Sequence, residues 1–375
     1  MDTEWRQIAE KPIGAAPLLH LVRLSHQIGD QPDIWGIAIY AGQEGRGLIE
    51  ATAADSGLEG VACVDDVARA ALLGLRLHQV DGAAVSLKIA QRWLSFVEYM
   101  QLPDGRFCNF IADWEGAYNL DGVTSMPGGS HWTARALWAL GTAFQVTGEQ
   151  RYQRAFQQGW PTRSAPATDI AAILLLAAIS SLQRSPDAAL EAEARALADE
   201  ILATQEDGYL VHRRGEREVH FWGYDQVTAL VAANRYFDAP SYLEAAEATA
   251  RRLLRCQALK GPFRGYPTCD RESLCAYDVA ACCRGLGALF AATGNTDYVA
   301  WLERLFAWFD GNNATGLPLY DRAEGRCHDG IDNNTLNPNC GAESAIEAGL
   351  VEVERRLLAS GRHLLPRRAW SLSMA

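Results

Sequence analysis

The segment CVDDVARAAL, residues 63–72, puts two adjacent carboxylates, Asp65 and Asp66, at the start of a stretch that is apolar on almost every face. One aspartate in such a position is typical of a helix cap. Two acids at the start of a buried helix also allow acid–base catalysis. Two neighbouring carboxyl groups with different pKa values can supply a proton donor and a base at the same pH. The segment therefore predicts either a cap or part of a catalytic site.

Acidic residues recur at the matching position of four further Ala- and Leu-rich stretches. The aligned acids are Asp66, Asp169, Asp225, Asp278 and Glu343. In a sixth stretch Trp132 takes this position, and His131 stands opposite Asp65. If the six starts meet, they form a ring of carboxylates in which mutual repulsion raises some pKa values and dipoles lower others. Capping of the helix dipole remains the alternative for each acid taken alone.

These stretches are one half of an internal repeat. The apolar members begin near residues 64, 131, 168, 224, 277 and 342, and segments with one wet face, such as 186–205 and 298–309, lie between them. A helix that is apolar all round is buried all round, whereas an amphipathic helix covers a core. Six buried helices alternating with six surface helices predict an inner ring inside an outer ring, an all-α (α/α)6 toroid.

This arrangement makes residues 1–375 a single domain, with residues 16–29 supplying the twelfth helix. The links at 101–111, 204–213 and 256–267 predict short strands or hairpins, since each combines Gly with an aromatic or β-branched run. An open α-solenoid is the alternative, but it requires polar capping repeats, and neither end of the chain resembles one.

Two long loops and a group of aromatic residues precede the buried helices. Residues 104–130 carry Asp113, and residues 321–341 carry Asp329. Loops of this length in a compact domain are often functional. The aromatic residues expected at the same mouth are Trp114, Trp132, Trp222, Tyr224 and Tyr277. Flat rings beside carboxylates suit sugars, while packing of the funnel wall is the simpler explanation for some of them.

The composition narrows the range of partners. A net charge of −12 argues against nucleic acid and anionic membranes, and the apolar runs are too short to cross a bilayer. The odd count of nine cysteines, two of them adjacent in a buried helix, is typical of a reducing compartment. The first residues lack the pattern of a signal peptide, so we expect a cytoplasmic location. Nothing in the sequence calls for a cofactor, and it says nothing about the oligomeric state.

Three blocks of the chain resemble the six-hairpin glycosidase superfamily. They are CVDDVARA, the pair DGRFCNFIADW and SHWTARALWALG, and GRCHDGI followed by NPNCGAES. More closely, they resemble a poorly characterised glycosidase-related helical family, sometimes found C-terminal to group 1 glycosyltransferases. The matching positions are Asp65, Asp66, Arg69, Arg106, Asn109, Asp113, His131, Arg135, Asp329, Asn337, Asn339 and Glu343. Val67 and Trp132 depart from the Asn and Gly of that pattern, so the substrate cannot be transferred from it.

The resemblance implies an (α/α)6 fold and work on carbohydrates. We expect a glycoside hydrolase that acts on a small oligosaccharide or glycoconjugate with one protonated and one ionised carboxyl group. The candidate catalytic residues are Asp66, Asp113 and Glu343, followed by Asp278 and Asp329. The acid is expected to be Asp113, and the base Glu343 or Asp66. The candidate substrate-binding residues are Asp65, Trp114, His131, Trp132, Arg135, Trp222, Tyr224, Asp225, Tyr277 and Asn339.

Three other functions remain open from the residues alone. A uronate lyase or epimerase would use Tyr and His beside Arg, for which His131 and Arg135 are available. A zinc-dependent or terpene-type cyclase or transferase is a second possibility, with CHDG at 327–330, Cys269, Cys275 and Cys340 as potential ligands, although no tight CxxC spacing is present. A non-catalytic sugar-binding module is the third.

Overall fold

The computed structural model describes residues 15–44, 47–50, 59–216, 224–260 and 273–361. Twelve α-helices lie within these ranges. In chain order they are α1 (Leu19–Arg23), α2 (Val64–Asp81), α3 (Ala84–Tyr99), α4 (Ser130–Thr147), α5 (Gln150–Gly159), α6 (Thr168–Arg184), α7 (Ala188–Leu202), α8 (Gln226–Phe237), α9 (Pro240–Lys260), α10 (Ala276–Thr293), α11 (Asp297–Phe309) and α12 (Ala342–Ser360).

The six even-numbered helices form a closed inner ring. Each packs against the next along the chain, and α12 packs against α2 to complete the circle. They are buried nearly all round; in α6, for example, 14 of 17 residues are buried. The closed ring confirms the (α/α)6 toroid and rules out the open solenoid, because a solenoid leaves its first and last repeats apart.

The odd-numbered helices form the outer layer, and α3, α5, α7, α9 and α11 each pack on the inner helix that precedes them. In α7 the buried residues are Ala194, Ala198 and Ile201, a single stripe that faces inward. The twelfth helix is shorter than residues 16–29 predict, because α1 ends at Arg23 and the chain continues as a strand. The helix α1 packs on α12 and thereby occupies the remaining outer position.

Short strands connect the helices. They are β1 (Ser25–Ile28), β2 (Gln31–Ile37), β3 (Ala41–Glu44), β4 (Gly47–Glu50), β5 (Ala62–Cys63), β6 (Phe110–Ile111), β7 (Gln205–Glu206), β8 (Tyr209–Leu210), β9 (Ser273–Cys275), β10 (Tyr320–Asp321), β11 (Arg326–Cys327), β12 (Gly330–Asp332) and β13 (Thr335–Leu336). All pairings are antiparallel: β1 with β2, β3 with β4, β5 with β6, β7 with β8, β10 with β11, and β12 with both β9 and β13.

The predicted hairpins are present in two of the three links. Residues 101–111 form a bridge and strand β6, and residues 204–213 form the β7–β8 hairpin. In the third link, α9 continues to Lys260, and residues 261–267 lie outside the described residues. Two strands lead directly into inner helices, because β5 ends just before α2 and β9 just before α10. The pairing of β5 with β6 and of β9 with β12 therefore fixes where these helices start.

Small residues allow the inner helices to approach closely. A Cβ added to Gly141 of α4 would lie 2.6 Å from the carbonyl oxygen of Ala177 in α6, so any larger residue would push these helices apart. At their far ends, α2 and α4 stop at Gly82 and Gly148, whose φ angles of 70° and 74° are the left-handed values typical of a glycine C-cap. No helix of the described part combines the length and apolarity needed to span a membrane.

Candidate active site

The starts of the inner helices bring the predicted acids to one end of the barrel, which we call the mouth. Asp66 and Asp278 occupy the third helical position of α2 and α10, and Asp169 and Glu343 the second position of α6 and α12. Asp225 immediately precedes α8. The four aspartates are at most 6% exposed. Such burial is costly for ionised groups unless each finds a partner.

The guanidinium of Arg69 forms ion pairs with several of the carboxylates at the mouth. In Arg69, Nη2 contacts Asp66 Oδ1 at 2.6 Å, Glu343 Oε1 at 2.9 Å and Asp65 Oδ2 at 3.4 Å. Its Nη1 contacts Glu347 Oε1 at 3.0 Å. We call Arg69 and these four carboxylates the Arg69 cluster. It joins α2 to α12 across the point where the ring closes.

Ion pairs extend the cluster across the barrel in both directions. On one side, Arg135 of α4 forms an ion pair with Asp65. On the other, Arg284 of α10 contacts Glu347 at 2.6 Å and Asp225 at 2.9 Å. Sequence reasoning missed Glu347 and Arg284. The sequence did offer a clue to both residues, because each is a charged residue within an Ala-rich inner helix. A charge buried in such a helix needs a partner from another helix.

The cluster separates the pKa values of neighbouring carboxyl groups. Burial raises the pKa of Asp66 to about 7; Arg69 opposes this effect, and the negative charges of Glu343 and Asp65 add to it. Burial also favours a higher pKa for Asp65, but Arg135, Arg69 and His131 outweigh it and hold that pKa below its ordinary value. Glu347 likewise has a lowered pKa, because Arg284 and Arg69 overcome its burial. A proton donor and ionised carboxylates therefore coexist near neutral pH.

Glu343 is the most accessible acid of the cluster. Its side chain is 32% exposed, compared with 6% for Asp66 and 4% for Glu347. Because Asp66 Oδ1 and Glu343 Oε1 contact the same nitrogen of Arg69, these two oxygens lie no more than 5.5 Å apart. A reactant at the mouth can therefore meet Glu343 directly, with Asp66 immediately behind it.

Aromatic rings flank this pair on the side of α10 and α12. Tyr40 is 39% exposed, and burial together with the charges of Glu343, Asp66 and Asp329 raises the pKa of its hydroxyl. Burial, Cys275 and nearby acids including Glu343 similarly raise the pKa of Tyr277. Sequence reasoning identified Tyr277 but missed Tyr40, which follows strand β2 and becomes part of the mouth only through tertiary packing.

Two of the predicted catalytic acids hold helix starts in place. The carboxylate of Asp329 accepts hydrogen bonds from the Gly341 amide at 3.1 Å and the Ser344 hydroxyl at 2.7 Å, so it caps α12 from another segment. Asp278 accepts a bond from the Cys275 amide at 3.2 Å in a capping box at the start of α10. The capping explanation therefore holds for Asp278, and Asp329 also caps a helix but lies close enough to Glu343 for that charge to raise its pKa.

The structure does not bring Asp113 into the cluster. Its carboxylate accepts hydrogen bonds from the amides of Gly116 and Ala117 in its own exposed loop. Among the described residues, no hydrogen bond or ion pair joins it to an inner helix. The neighbouring Trp114 stacks on His26, with ring centroids 4.2 Å apart, so its ring packs on the β1–β2 hairpin. These two residues belong to the wall around the mouth.

Two further aromatic candidates are held by the backbone. The indole N–H of Trp132 donates to the Phe107 carbonyl at 2.9 Å. Tyr224 is 3% exposed, and its hydroxyl donates to the Leu210 carbonyl at 2.6 Å. Both support the funnel wall, which was the simpler explanation of these rings. The candidate Trp222 lies outside the described residues.

The other predicted binding residues are positioned around the cluster. His131 begins α4 close enough to Asp65 to lower its pKa, and the Asn339 carbonyl accepts a bond from the Asp329 amide at 3.0 Å. Asp169, an aligned acid that was not a predicted binding residue, accepts a bond from the Ile170 amide at 2.9 Å. Within the part of the chain that the structure describes, no group of three or more His, Cys, Asp and Glu side chains is arranged to hold a metal ion, and the potential ligand Cys269 lies outside it.

Comparisons with protein-family models and with curated proteins find no match for this chain. Solved structures do resemble it. A D-mannose isomerase superimposes with a TM-score of 0.66 at 12% identity, covering 96% of this chain and 98% of its own. A sugar epimerase from a ruminal bacterium gives 0.67 at 11% identity, covering 94% and 98%. An inactive variant of an α-1,6-mannanase from a Salegentibacter species, in complex with α-1,6-mannotriose, gives 0.62 at 11% identity, covering 94% and 99%.

These likenesses concern the fold and agree with the predicted (α/α)6 architecture. They extend over nearly the whole of both chains. At this identity the likeness concerns the path of the backbone, and function has to be argued from the side chains at the mouth.

Proposed function

We propose that the protein is a carbohydrate-active enzyme that hydrolyses a glycosidic bond in a small oligosaccharide or glycoconjugate. The observation that carries the proposal is the pairing of Asp66 and Glu343 on one guanidinium, with oxygens no more than 5.5 Å apart. Glycoside hydrolysis needs one protonated and one ionised carboxyl group beside the scissile bond. With its pKa of about 7, Asp66 supplies the protonated group, and the accessible Glu343 supplies the ionised one.

In this mechanism Asp66 protonates the leaving oxygen as Glu343 attacks the anomeric carbon, so the glycosidic bond breaks and a glycosyl ester of Glu343 forms. Asp66, now ionised, then takes a proton from the water that hydrolyses this ester, which restores both carboxyl groups. A separation of about 5–5.5 Å is typical of retaining enzymes, whereas inverting enzymes keep their carboxyl groups about 6.5–9.5 Å apart to admit a water molecule. The proposal therefore includes retention of configuration. It also moves the role of acid from Asp113 to Asp66, because Asp113 is exposed and bonded within its own loop.

The remaining residues of the mouth have binding roles in this proposal. The exposed ring of Tyr40 offers a flat apolar face to the C–H groups of a sugar, and Tyr277 lies on the same side. Arg135 and His131 hold Asp65 ionised, so that its carboxylate can accept hydrogen bonds from sugar hydroxyls. Arg69 keeps the acids together and limits their repulsion.

The structural neighbours support the substrate class. One acts on mannose, and another binds α-1,6-mannotriose. The mannanase of that complex is inactive after two consecutive aspartates are replaced by asparagine, and this chain carries consecutive aspartates, Asp65 and Asp66, at the mouth. Mannose-containing oligosaccharides are therefore the first substrates to test.

The test is a panel of manno-oligosaccharides and aryl glycosides, with the stereochemistry of the product followed by NMR. We expect Asp66→Asn and Glu343→Gln each to lower kcat about 10²-fold or more, with binding measured by calorimetry retained. The matched control is Asp113→Asn, which removes an acid of the same wall and should leave kcat nearly unchanged.

Two outcomes would contradict the proposal. Full activity in both variants would show that the Arg69 cluster is structural. Glycan binding without turnover by the wild-type protein would indicate a sugar-binding module instead.

An isomerase or epimerase is the second candidate. The D-mannose isomerase and the sugar epimerase, which have the two highest of the three TM-scores, favour it. His131 also favours it, because its imidazole lies beside the ionised Asp65 and Arg135. Such chemistry moves a proton on carbon, so incubation of D-mannose in D₂O would incorporate deuterium at C2. Under this function His131→Gln abolishes turnover, whereas under hydrolysis it has a smaller effect than Asp66→Asn.

A further inference from the structure

A cavity lies inside the ring of inner helices on the side remote from the mouth, and we call it the lower cavity. Its volume is about 110 Å³. All six inner helices contribute to its wall, through residues such as Arg76, Gln145, Gln183, Thr228, Gly287 and Glu354. One water molecule needs about 10–15 Å³ of such volume, so the cavity has room for several water molecules or one small ligand.

The wall is polar at positions where these helices would otherwise carry Ala or Leu. The Gln145 amide donates to the Gln183 amide oxygen, and the Thr142 hydroxyl lies 3.4 Å from that of Ser180. Trp138 adds a large ring that is 8% exposed. Polar side chains on the inside of a ring of apolar helices weaken the core, so their presence calls for a partner within the cavity.

Two of these polar groups have no partner among the described residues. The Oγ1 of Thr228 and the Nε2 of Gln183 are both buried without a hydrogen bond. Thr228 is 7% exposed. Leaving a buried donor or acceptor unsatisfied costs about 1–3 kcal/mol, and most such groups in folded proteins are satisfied by protein, water or ligand. Both residues line the lower cavity.

Above pH 7, where Glu354 is ionised, the charges of the wall are balanced. Arg76 lies 3.6 Å from Glu354, and its guanidinium lies over the Trp138 ring at 5.8 Å. Arg284 also reaches this cavity, but it is paired with Asp225 and Glu347. The carbonyl ends of the inner helices point this way, and their partial negative charge disfavours anions. The wall therefore suits a neutral ligand.

We infer that the lower cavity is a binding site for a neutral saccharide or polyol, distinct from the mouth. An indole face, three glutamine amides and several hydroxyls match the alternating C–H and O–H surface of a sugar. The cavity opens to solvent beside Gln79, which is exposed, so a ligand can enter from the side remote from the Arg69 cluster. The inference does not depend on which reaction occurs at the mouth.

The experiment is calorimetric titration of the full-length protein with D-mannose, D-glucose and myo-inositol, with D-mannose 6-phosphate as the anionic comparison. The variants are Thr228→Val and Gln183→Leu, which remove the two unsatisfied groups with little change in shape. We expect each to weaken binding of a neutral probe about tenfold. Thr228→Val should not lower Tm, because the Thr228 hydroxyl makes no hydrogen bond among the described residues, whereas Gln183→Leu also removes the hydrogen bond from Gln145 and should lower Tm slightly. Tyr40→Ala at the mouth is the matched control and should leave this binding unchanged.

Three results would overturn the inference. One is the absence of a binding event for the neutral probes up to 50 mM, since the cavity would then hold only water. Another is a binding event abolished by Tyr40→Ala and unaffected by Thr228→Val and Gln183→Leu, which would locate the sugar at the mouth. Preference for D-mannose 6-phosphate over D-mannose at the lower cavity would contradict the neutral class of ligand.

Discussion

The two ends of the inner barrel have different chemistry although the same six helices form both. At the mouth, Arg69 and Arg284 are surrounded by five carboxylates, from α2, from α12 and from the residue that precedes α8. At the lower end, the polar side chains are mainly amides and hydroxyls, with the ion pair of Arg76 and Glu354 among them. The mouth is thus rich in titratable groups, and the lower cavity in neutral donors and acceptors.

Helix polarity accounts for part of this contrast. Helix N-termini carry partial positive charge and favour carboxylates, and C-termini favour neutral or cationic groups. The rest of the contrast follows from the function that we propose for each end. Acid–base chemistry needs carboxyl groups with separated pKa values, as in Asp65 and Asp66, whereas recognition of a neutral ligand needs fixed donors and acceptors.

The largest expected effect tests whether the mouth depends on its central cation. Arg69→Met leaves four carboxylates without their shared partner, and we expect the free energy of unfolding to fall by about 3–5 kcal/mol. Urea denaturation measures it. The matched control is Arg106→Met, since Arg106 pairs with Asp104 at a similar distance but at the surface. Equal stability of the two variants would mean that the Arg69 cluster contributes nothing to the fold.

The second prediction concerns the proton on Asp66. Because its pKa is about 7, the protonated fraction falls tenfold for each pH unit above that value. If Asp66 is the acid, kcat/KM falls about 50-fold between pH 7 and pH 9, and the profile gives the pKa of the free enzyme. Asp113→Asn should keep this alkaline limb. Its persistence in the residual activity of Asp66→Asn would assign the proton to another group.

The third prediction moves to the lower end, where burial raises the pKa of Glu354 to about 7 against the effects of Arg76 and Arg284. The unfolded chain releases this proton near pH 4.3, so the native state binds more protons between about pH 4 and 7. The free energy of unfolding therefore decreases as pH rises through this window. We expect Glu354→Gln to reduce that slope by about 1 kcal/mol per pH unit.

Denaturation curves at pH 5, 6 and 7 measure this slope. Glu303→Gln on the exposed face of α11 is the control and should not change it. A wild-type slope that is identical in Glu354→Gln would mean that Glu354 is ionised throughout the window.

The smallest expected effect concerns Tyr40. If its exposed ring stacks on substrate, Tyr40→Ala raises KM about tenfold with little change in kcat, which corresponds to about 1.4 kcal/mol of binding. Tyr40→Phe keeps the ring and should remain near the wild type. Steady-state kinetics on the best substrate of the panel separate the two, and equal KM values for all three proteins would remove Tyr40 from the binding site.

The alternation of buried and amphipathic segments was sufficient to predict the (α/α)6 toroid, because apolar periodicity reports burial directly. It also brought Asp66, Asp278 and Glu343 to one end, since the inner helices of such a ring run in one direction. The roles of these acids were harder to predict. An aspartate in a first helical turn has the same sequence signature whether it caps the helix, as Asp278 does, or pairs with Arg69, as Asp66 does.

Loop conformations and contacts between distant helices could not be predicted from the sequence. Asp113 was a reasonable candidate acid by type and by its place in a long loop, but its carboxylate bonds to amides three and four residues onward. Glu347 and Arg284 are separated by 63 positions, and their contact exists only because α10 and α12 are neighbours in the ring. The lower cavity depends on residues from six helices, and none of them forms a local motif.

The sequence by itself determined which helices are buried, how many there are and at which end their acids collect, because these properties follow from local polarity and its period. The tertiary structure decided which carboxylate shares which guanidinium, which acid keeps its proton near neutral pH and where polar groups are left without a partner. Those outcomes depend on distances of a few ångströms between residues far apart in the chain, and on the loss of water around them.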